Sequence, residues 1–128
     1  MPNTYSQIFL HIVFAVQYRD GLISAKWKEE LYKYITGIVT NSGHKMLAIN
    51  GMPDHVHMLV GFKPVDSISK LVQEIKKDSS FWINKNRSVI GKFAWQEGYG
   101  VFSYSRSQIP EVSDYIFNQE KHHKVKSF

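Results

Sequence analysis

His55-Val56-His57 sits in an apolar segment, and its two imidazoles, two residues apart, are the first pattern in the chain that could do chemistry. In an extended segment side chains alternate between faces. His55 and His57 then point one way, and Val56, Met58, Val60 and Phe62 the other. The rings would stand about 6–7 Å apart along the strand, close enough to share one cation. Neutral imidazole is a common ligand of first-row divalent ions. Six histidines in 128 residues make some His-x-His pair an ordinary event of composition, so purely structural histidines are the competing reading. Against that stands the setting, because Lys or Thr would serve equally well at a solvent-facing strand position.

The second pattern lies near the C-terminus. Tyr115 and Gln119 are four residues apart, so on a helix they stand one above the other. A tyrosine oxygen can attack a phosphodiester and form a covalent intermediate. It is a weak nucleophile while protonated, so the phosphate needs a metal to polarise it. Gln119 could add an amide oxygen to the two histidines as a third ligand, leaving positions for phosphate oxygens and water. The alternative is a tyrosine at a core edge with its hydroxyl bonded to a polar neighbour. His122 and His123, at the end of the same segment, read as exposed side chains or phosphate contacts.

These residues need elements to hold them. Residues 6–16 are β-branched and aromatic with partial alternation and predict a buried strand. Ser24 is a plausible cap for a helix over 24–42, with Trp27, Leu31, Tyr34, Ile35 and Ile38 at helical spacing and Gly43 as its stop. Strands over 45–50 and 55–62 flank the turn residues Gly51-Met52-Pro53-Asp54 and predict a hairpin. Asp66 or Ser67 caps a helix running to about residue 84, with Ile68, Leu71, Val72, Ile75, Ser79 and Trp82 on one face. Residues 93–104 predict a fourth strand whose glycines permit a bulge, and Pro110 opens a last helix over 110–123. The order is β-α-β-β-α-β plus a C-terminal helix: an α+β, ferredoxin-like split arrangement with an antiparallel sheet.

Composition sets the frame. At 128 residues the chain is the size of one domain, expected to span 1–128. A hydrophobic fraction of 43% rules out disorder, and the absence of cysteine rules out disulfides, thiolate zinc sites and thiol catalysis. Sixteen Lys and Arg against eleven Asp and Glu leave +5, a lean toward a polyanion such as nucleic acid. Aromatic residues at 14% would suit base stacking as well as a core. No apolar run is long enough to span a membrane, and Met1-Pro2-Asn3-Thr4 lacks a signal-peptide layout, so a soluble, cytoplasmic protein is expected.

Taken in order, several runs are similar to one family. They are His11-Ile-Val-Phe-Ala-Val-Gln-Tyr-Arg19, Pro-Asp-His55-Val-His57-Met-Leu-Val, Trp95-Gln-Glu-Gly-Tyr-Gly-Val-Phe-Ser and Tyr115-Ile-x-x-Gln119-x-x-His-His. Together they resemble the transposases of IS-two-hundred-like insertion sequences, HUH-class enzymes with a single catalytic tyrosine. The likeness runs from about residue 7 to the end of the chain. It implies a dimer of ferredoxin-like subunits that cuts and rejoins single-stranded DNA carrying hairpin ends. It implies that His55 and His57 are the metal pair, Gln119 the third ligand and Tyr115 the nucleophile, through a 5′-phosphotyrosine bond and a free 3′-hydroxyl. The cation would be Mg²⁺, with Mn²⁺ plausible beside two imidazoles. The link Ser103-Tyr-Ser-Arg-Ser107 lacks the glycines that often precede the tyrosine helix in the family, which leaves open whether Tyr115 serves its own subunit or its partner.

Basic residues at 66–92 outnumber acidic ones by six to three. Arg19, Lys76, Lys77, Lys85 and Arg87 are the candidate contacts to a DNA backbone, with a solvated helix face as the plainer reading. Competing functions are a nonenzymatic ferredoxin-like nucleic-acid-binding protein, a domesticated relative of the transposases, and a small metal-binding regulator. Residues 7–16 and 54–62 lack the RNA-recognition pattern Lys/Arg-Gly-Phe-Gly/Ala-Phe-Val-x-Phe.

Overall fold

The computed structural model describes residues 6–17, 22–86 and 92–119. Its elements run β1 (Ile8–Ala15), α1 (Lys28–Asn41), β2 (Lys45–Met52), β3 (His55–Phe62), α2 (Ile68–Asn86), β4 (Gly100–Tyr104), a 3₁₀ turn (Arg106–Gln108) and α3 (Ile109–Phe117). The strands form one sheet in the order β2-β3-β1-β4, with every neighbouring pair antiparallel. This is the expected split arrangement. β1 and β3 hold the centre, and they are the strands with the longest apolar runs.

Alternation along β1 and β3 divides the molecule into two layers. Leu10, Ile12, Phe14 and Val16 of β1, with Val56, Met58, Val60 and Phe62 of β3, pack against α1 and α2. From α1 come Leu31, Ile35 and Val39; from α2 come Leu71, Val72, Ile75 and Ile83. Burying each such side chain is worth roughly 1.5–3 kcal/mol, which makes this face the main source of stability. The opposite face carries a smaller cluster of Ala48 and Leu59 beneath Val112 and Ile116 of α3.

Local chemistry explains where elements begin and end. Ser24 accepts the Lys26 N–H at 3.1 Å and so caps a turn preceding α1, which itself starts only at Lys28. Gly43, at φ +91°, takes the left-handed conformation that stops α1. Ser67 accepts the Lys70 N–H at 3.1 Å and caps α2. In α2 Ile83 joins the buried face, while Trp82 stays half-buried and stacks on Tyr34 at 5.4 Å between ring centroids.

The expected strand over 93–104 divides in two. Ala94–Gln96 pairs with the end of β1 through Gln17 N to Ala94 O and Gln96 N to Ala15 O, at 2.8 and 2.7 Å. Gly98, at φ +82°, turns the chain outward, and pairing resumes at Gly100. Lys76 holds the loop by donating to the carbonyls of Gln96, at 2.8 Å, and Gly98. Asn84 fastens the start of the segment with bonds to both the N–H and the C=O of Phe93, at 2.8 and 2.9 Å. The last helix starts at Ile109 with Pro110 in its first turn and ends at Phe117, where the Asn118 N–H donates to the Asp114 carbonyl, so Gln119, expected within a helix over 110–123, lies past its end. His122 and His123 lie outside the described residues. Among the described residues no helix is long and apolar enough to cross a membrane.

His44 makes the fold sensitive to acid. Its ring stacks on Phe62 at 4.4 Å and its Nδ1 accepts the Lys63 N–H at 2.9 Å. Desolvation pushes its pKa below 6.5, with Lys63 adding to the shift and Asp66 opposing it. The unfolded chain therefore takes up this proton at a higher pH than the folded chain. Stability is complete above 6.5 and is lost as pH falls toward the folded value. The melting temperature should drop between about pH 7 and about pH 5.5, and His44→Gln should shrink that drop.

Candidate active site

β3 lays the floor of the site. Opposite His57 stand Asn50 of β2 and Val13 of β1, and Val13 faces Gly100 of β4. The next row across the sheet is Ala48, Leu59, His11 and Phe102. Cross-strand partners share a face. Both rows therefore belong to the surface beneath α3, away from the main core.

His55 and His57 lie on this face with ring centroids 5.0 Å apart. The His55 Nδ1–H donates to the Asp54 carboxylate at 2.7 Å. His57 is buried, and its Nδ1 lies 2.8 Å from Nε2 of His11, also buried. Each candidate ligand thus has its Nδ1 engaged. Desolvation pushes the His11 pKa down, which favours its neutral form.

α3 delivers the other pair. Val112 and Ile116, four apart, seat the helix on Ala48 and Leu59. Tyr115 is thereby turned to the histidines, its ring edge-on to His57 at 6.1 Å and to His11 at 6.4 Å. Asn50, the strand partner of His57, donates its side-chain amide to the Phe117 carbonyl at 2.9 Å and ties down the helix end. Gln119 is fully buried. Its Nε2 donates to the Tyr115 carbonyl at 3.2 Å, and its Oε1 has no hydrogen-bond partner among the described residues. A cleft of about 630 Å³ opens between sheet and helix, lined by His11, His57, Tyr104, Glu111 and Tyr115 among others.

The chain of Ser105–Gln108 that leads into α3 is closed by reciprocal bonds. Gln108 Oε1 accepts the Ser105 N–H at 2.8 Å and its hydroxyl at 3.1 Å. This caps the 3₁₀ turn as a capping box does, and it fixes the entry angle of the helix.

The donors present suit a divalent cation. Two imidazoles and an amide oxygen are a mixed set that a divalent cation accepts, and the buried Gln119 Oε1 has no hydrogen-bond partner among the described residues. Among the described residues no group of three His, Asp, Glu or Cys could hold a metal.

The expected basic contacts fare differently. Lys76 is committed to the loop carbonyls and to the face of Phe14 at 5.4 Å, and desolvation lowers its pKa against the opposing pull of Glu97. Lys77 lines an open groove with Phe81, and Lys85 lies over the exposed Phe81 ring at 5.7 Å. Arg19 and Arg87 lie outside the described residues. Sequence reasoning passed over His11, Asp54 and Asn50 as site residues. For His11 a signal existed, since it is the polar residue at alternate spacing in an apolar strand.

A family model described as "Transposase IS200 like" matches residues 4–119. The chain belongs to this family. It is 23% identical over 118 residues to the ISDra2 transposase TnpA of Deinococcus radiodurans, covering 88% of this chain and 84% of that one. Among solved structures it resembles a Deinococcus radiodurans protein assigned as a transposase, with a TM-score of 0.69, 24% identity, and 93% and 95% of the two chains covered. It also resembles the REP-associated tyrosine transposase bound to a REP hairpin, with a TM-score of 0.70, 16% identity, and 96% and 73% covered. The two likenesses establish the shared fold. Membership in the IS200-like family makes this chain a DNA transposase, an enzyme class that cuts DNA.

Gly51 guards the position of His55 in this transposase fold. A Cβ at Gly51 would collide with the His55 carbonyl oxygen and come within 2.9 Å of the Val56 Cα. Both obstacles are backbone, which cannot swing aside as a side-chain tip can. Gly51→Ala should cost about 1–3 kcal/mol in a denaturant titration, the usual range for overpacking.

Proposed function

We propose that this transposase cuts and rejoins single-stranded DNA with Tyr115 as the nucleophile, assisted by a divalent cation held by His55, His57 and Gln119. The observation that carries the reading is the placement of Tyr115 beside His57 while Gln119, two residues past the end of the tyrosine helix, keeps a buried oxygen without a hydrogen-bond partner among the described residues. The bond from Gln119 Nε2 to the Tyr115 carbonyl couples the candidate ligand to the nucleophile, and misplacement by about 1 Å can cost roughly a hundredfold in rate.

The cation, Mg²⁺ or Mn²⁺, would polarise the scissile phosphate and favour loss of the phenol proton. Tyr115 Oη attacks phosphorus, the P–O3′ bond breaks, and the 3′-oxygen leaves and takes up a proton. The products are a 5′-phosphotyrosine and a free 3′-hydroxyl. Attack by a 3′-hydroxyl on the phosphotyrosine reverses the bond changes and regenerates the phenol. One phosphoester replaces another at each step, so no nucleotide cofactor is needed. The apolar cleft walls limit the water that would compete with the 3′-hydroxyl.

The net charge of +5 and the hairpin in the REP-associated relative support hairpin-ended DNA as partner. β4 is an edge strand, and its Val101 and Phe102 are exposed. An exposed apolar strand edge is a ready surface for pairing with a second chain, and it supports a homodimer.

Tyr115→Phe removes only the phenol oxygen. It should fold and bind single-stranded DNA like the parent, yet form no covalent adduct on a denaturing gel with Mg²⁺ present. His55→Ala and His57→Ala should lose the adduct while retaining most of the DNA binding. An adduct from Tyr115→Phe would show that another nucleophile is at work. Light scattering should return about twice 14.9 kDa, and a monomer mass at micromolar concentration would remove the dimer.

A further inference from the structure

We propose that His11 is a positioning residue for His57: its Nε2 accepts the His57 Nδ1–H and so leaves the lone pair of His57 on Nε2 for the cation. The inference rests on the assignment of His57 as a metal ligand. Its starting point is the 2.8 Å bond between the two rings, which carries a single proton. If His11 donated that proton, His57 Nδ1 would accept it and the proton of the neutral ring would sit on Nε2. Neither nitrogen of His57 could then ligate. Only the opposite sense, with His57 donating, leaves a ligating nitrogen.

The same arrangement removes His11 from the ligand set. A nitrogen whose lone pair accepts the His57 proton has none for a cation, and the His11 proton then resides on Nδ1. That Nδ1 is buried and has no hydrogen-bond partner among the described residues. An unsatisfied buried donor costs about 1–3 kcal/mol, so His11 is not the residue that stability alone would select here. Its ring neighbours are Phe102, Tyr104, Tyr115 and His57, at 6.0, 6.2, 6.4 and 5.0 Å between centroids, and a Phe would suit such company. The companion ligand is held in the same way, since Asp54 accepts the Nδ1–H of His55. His11 of β1 and Asp54 of the turn between β2 and β3 thus play parallel parts. Partners of this kind orient ligand rings, and their loss typically weakens metal binding by about 10–100-fold.

The test measures Mn²⁺ affinity by calorimetry, without DNA, in the full chain and in His11→Phe, His11→Gln and His57→Ala. His11→Phe should keep or raise the melting temperature and weaken Mn²⁺ binding by about 10–100-fold. His11→Gln, which restores an acceptor oxygen, should recover much of that loss. Ring ¹⁵N spectra of the parent with Mg²⁺ should show His57 protonated at Nδ1 and His11 protonated at Nδ1. Parental Mn²⁺ affinity in a folded His11→Phe would overturn the proposal. So would ¹⁵N shifts that mark His11 as a ligand, or a His57 protonated at Nε2 in the loaded protein; these spectra decide the matter if His11→Phe does not fold. Unchanged affinity in His57→Ala would instead remove the metal assignment itself, and this inference with it.

Discussion

Strand alternation is the constraint on which the rest of this molecule depends. β1 and β3 are central, so both of their faces are covered, and each residue is committed to one cover or the other. The even-numbered positions of β1 and β3 face α1 and α2 and are apolar throughout. The odd-numbered positions face α3, and there the chain sets His11, His55 and His57 around Leu59. A slip of one residue in either strand would send imidazoles into the main core and expose its aliphatic stripe. Large apolar burial on one face therefore locks the geometry of the polar groups on the other. The chemistry depends on a packing interaction it takes no part in.

α3 meets this surface under a second constraint of the same kind. Its apolar residues Val112 and Ile116 recur at four, with Tyr115 three positions past the first, while Gln119 follows the end of the helix and bonds back to the Tyr115 carbonyl. Seating Val112 and Ile116 on Ala48 and Leu59 fixes the rotation of the helix and turns Tyr115 to the histidines. Asn50 and the capped Ser105–Gln108 turn hold its two ends. Both ends being tied, the described helix positions Tyr115 against the histidines of the same chain.

Much of this was legible in residue order, because local periodicity determines which residues share a face. The orientation of His55-Val56-His57, the spacing of Val112 and Ile116 that seats the last helix and the β-α-β-β-α-β order all follow from periods of two and about 3.6, whereas the end of that helix at Phe117, short of Gln119, does not. What escaped depends on distant partners. His11 meets His57 diagonally across two strands, forty-six residues apart in sequence, and only the register of β1 against β3 brings them together. The break in the fourth strand needs Gly98 at positive φ and Lys76 from α2, whose ammonium looked like a DNA contact because a lysine on a helix is ordinarily solvated. The late start of α1 reflects Ser24 bonding its own local turn, a competition that Ser is prone to and that helical spacing does not register.

Three buried side-chain atoms lack partners among the described residues: His44 Nε2, His11 Nδ1 and Gln119 Oε1. The first belongs to the ring stacked on Phe62, at the far end of β3, where its other nitrogen serves the Lys63 backbone. Of the other two, His11 Nδ1 belongs to the row of side chains beneath α3, and Gln119 follows directly on that helix. That concentration is informative, because the adjoining Ala48, Leu59, Val112 and Ile116 show the same face accepting a fully apolar filling. Local agreement between burial and polarity is given up only where the histidines and the tyrosine helix meet. Sequences under selection for stability alone avoid such positions, and those that keep them do so at sites with another purpose. The orphaned oxygen just past the helix and the orphaned nitrogen behind the histidine pair are polar groups that the packing of the described residues leaves unfinished.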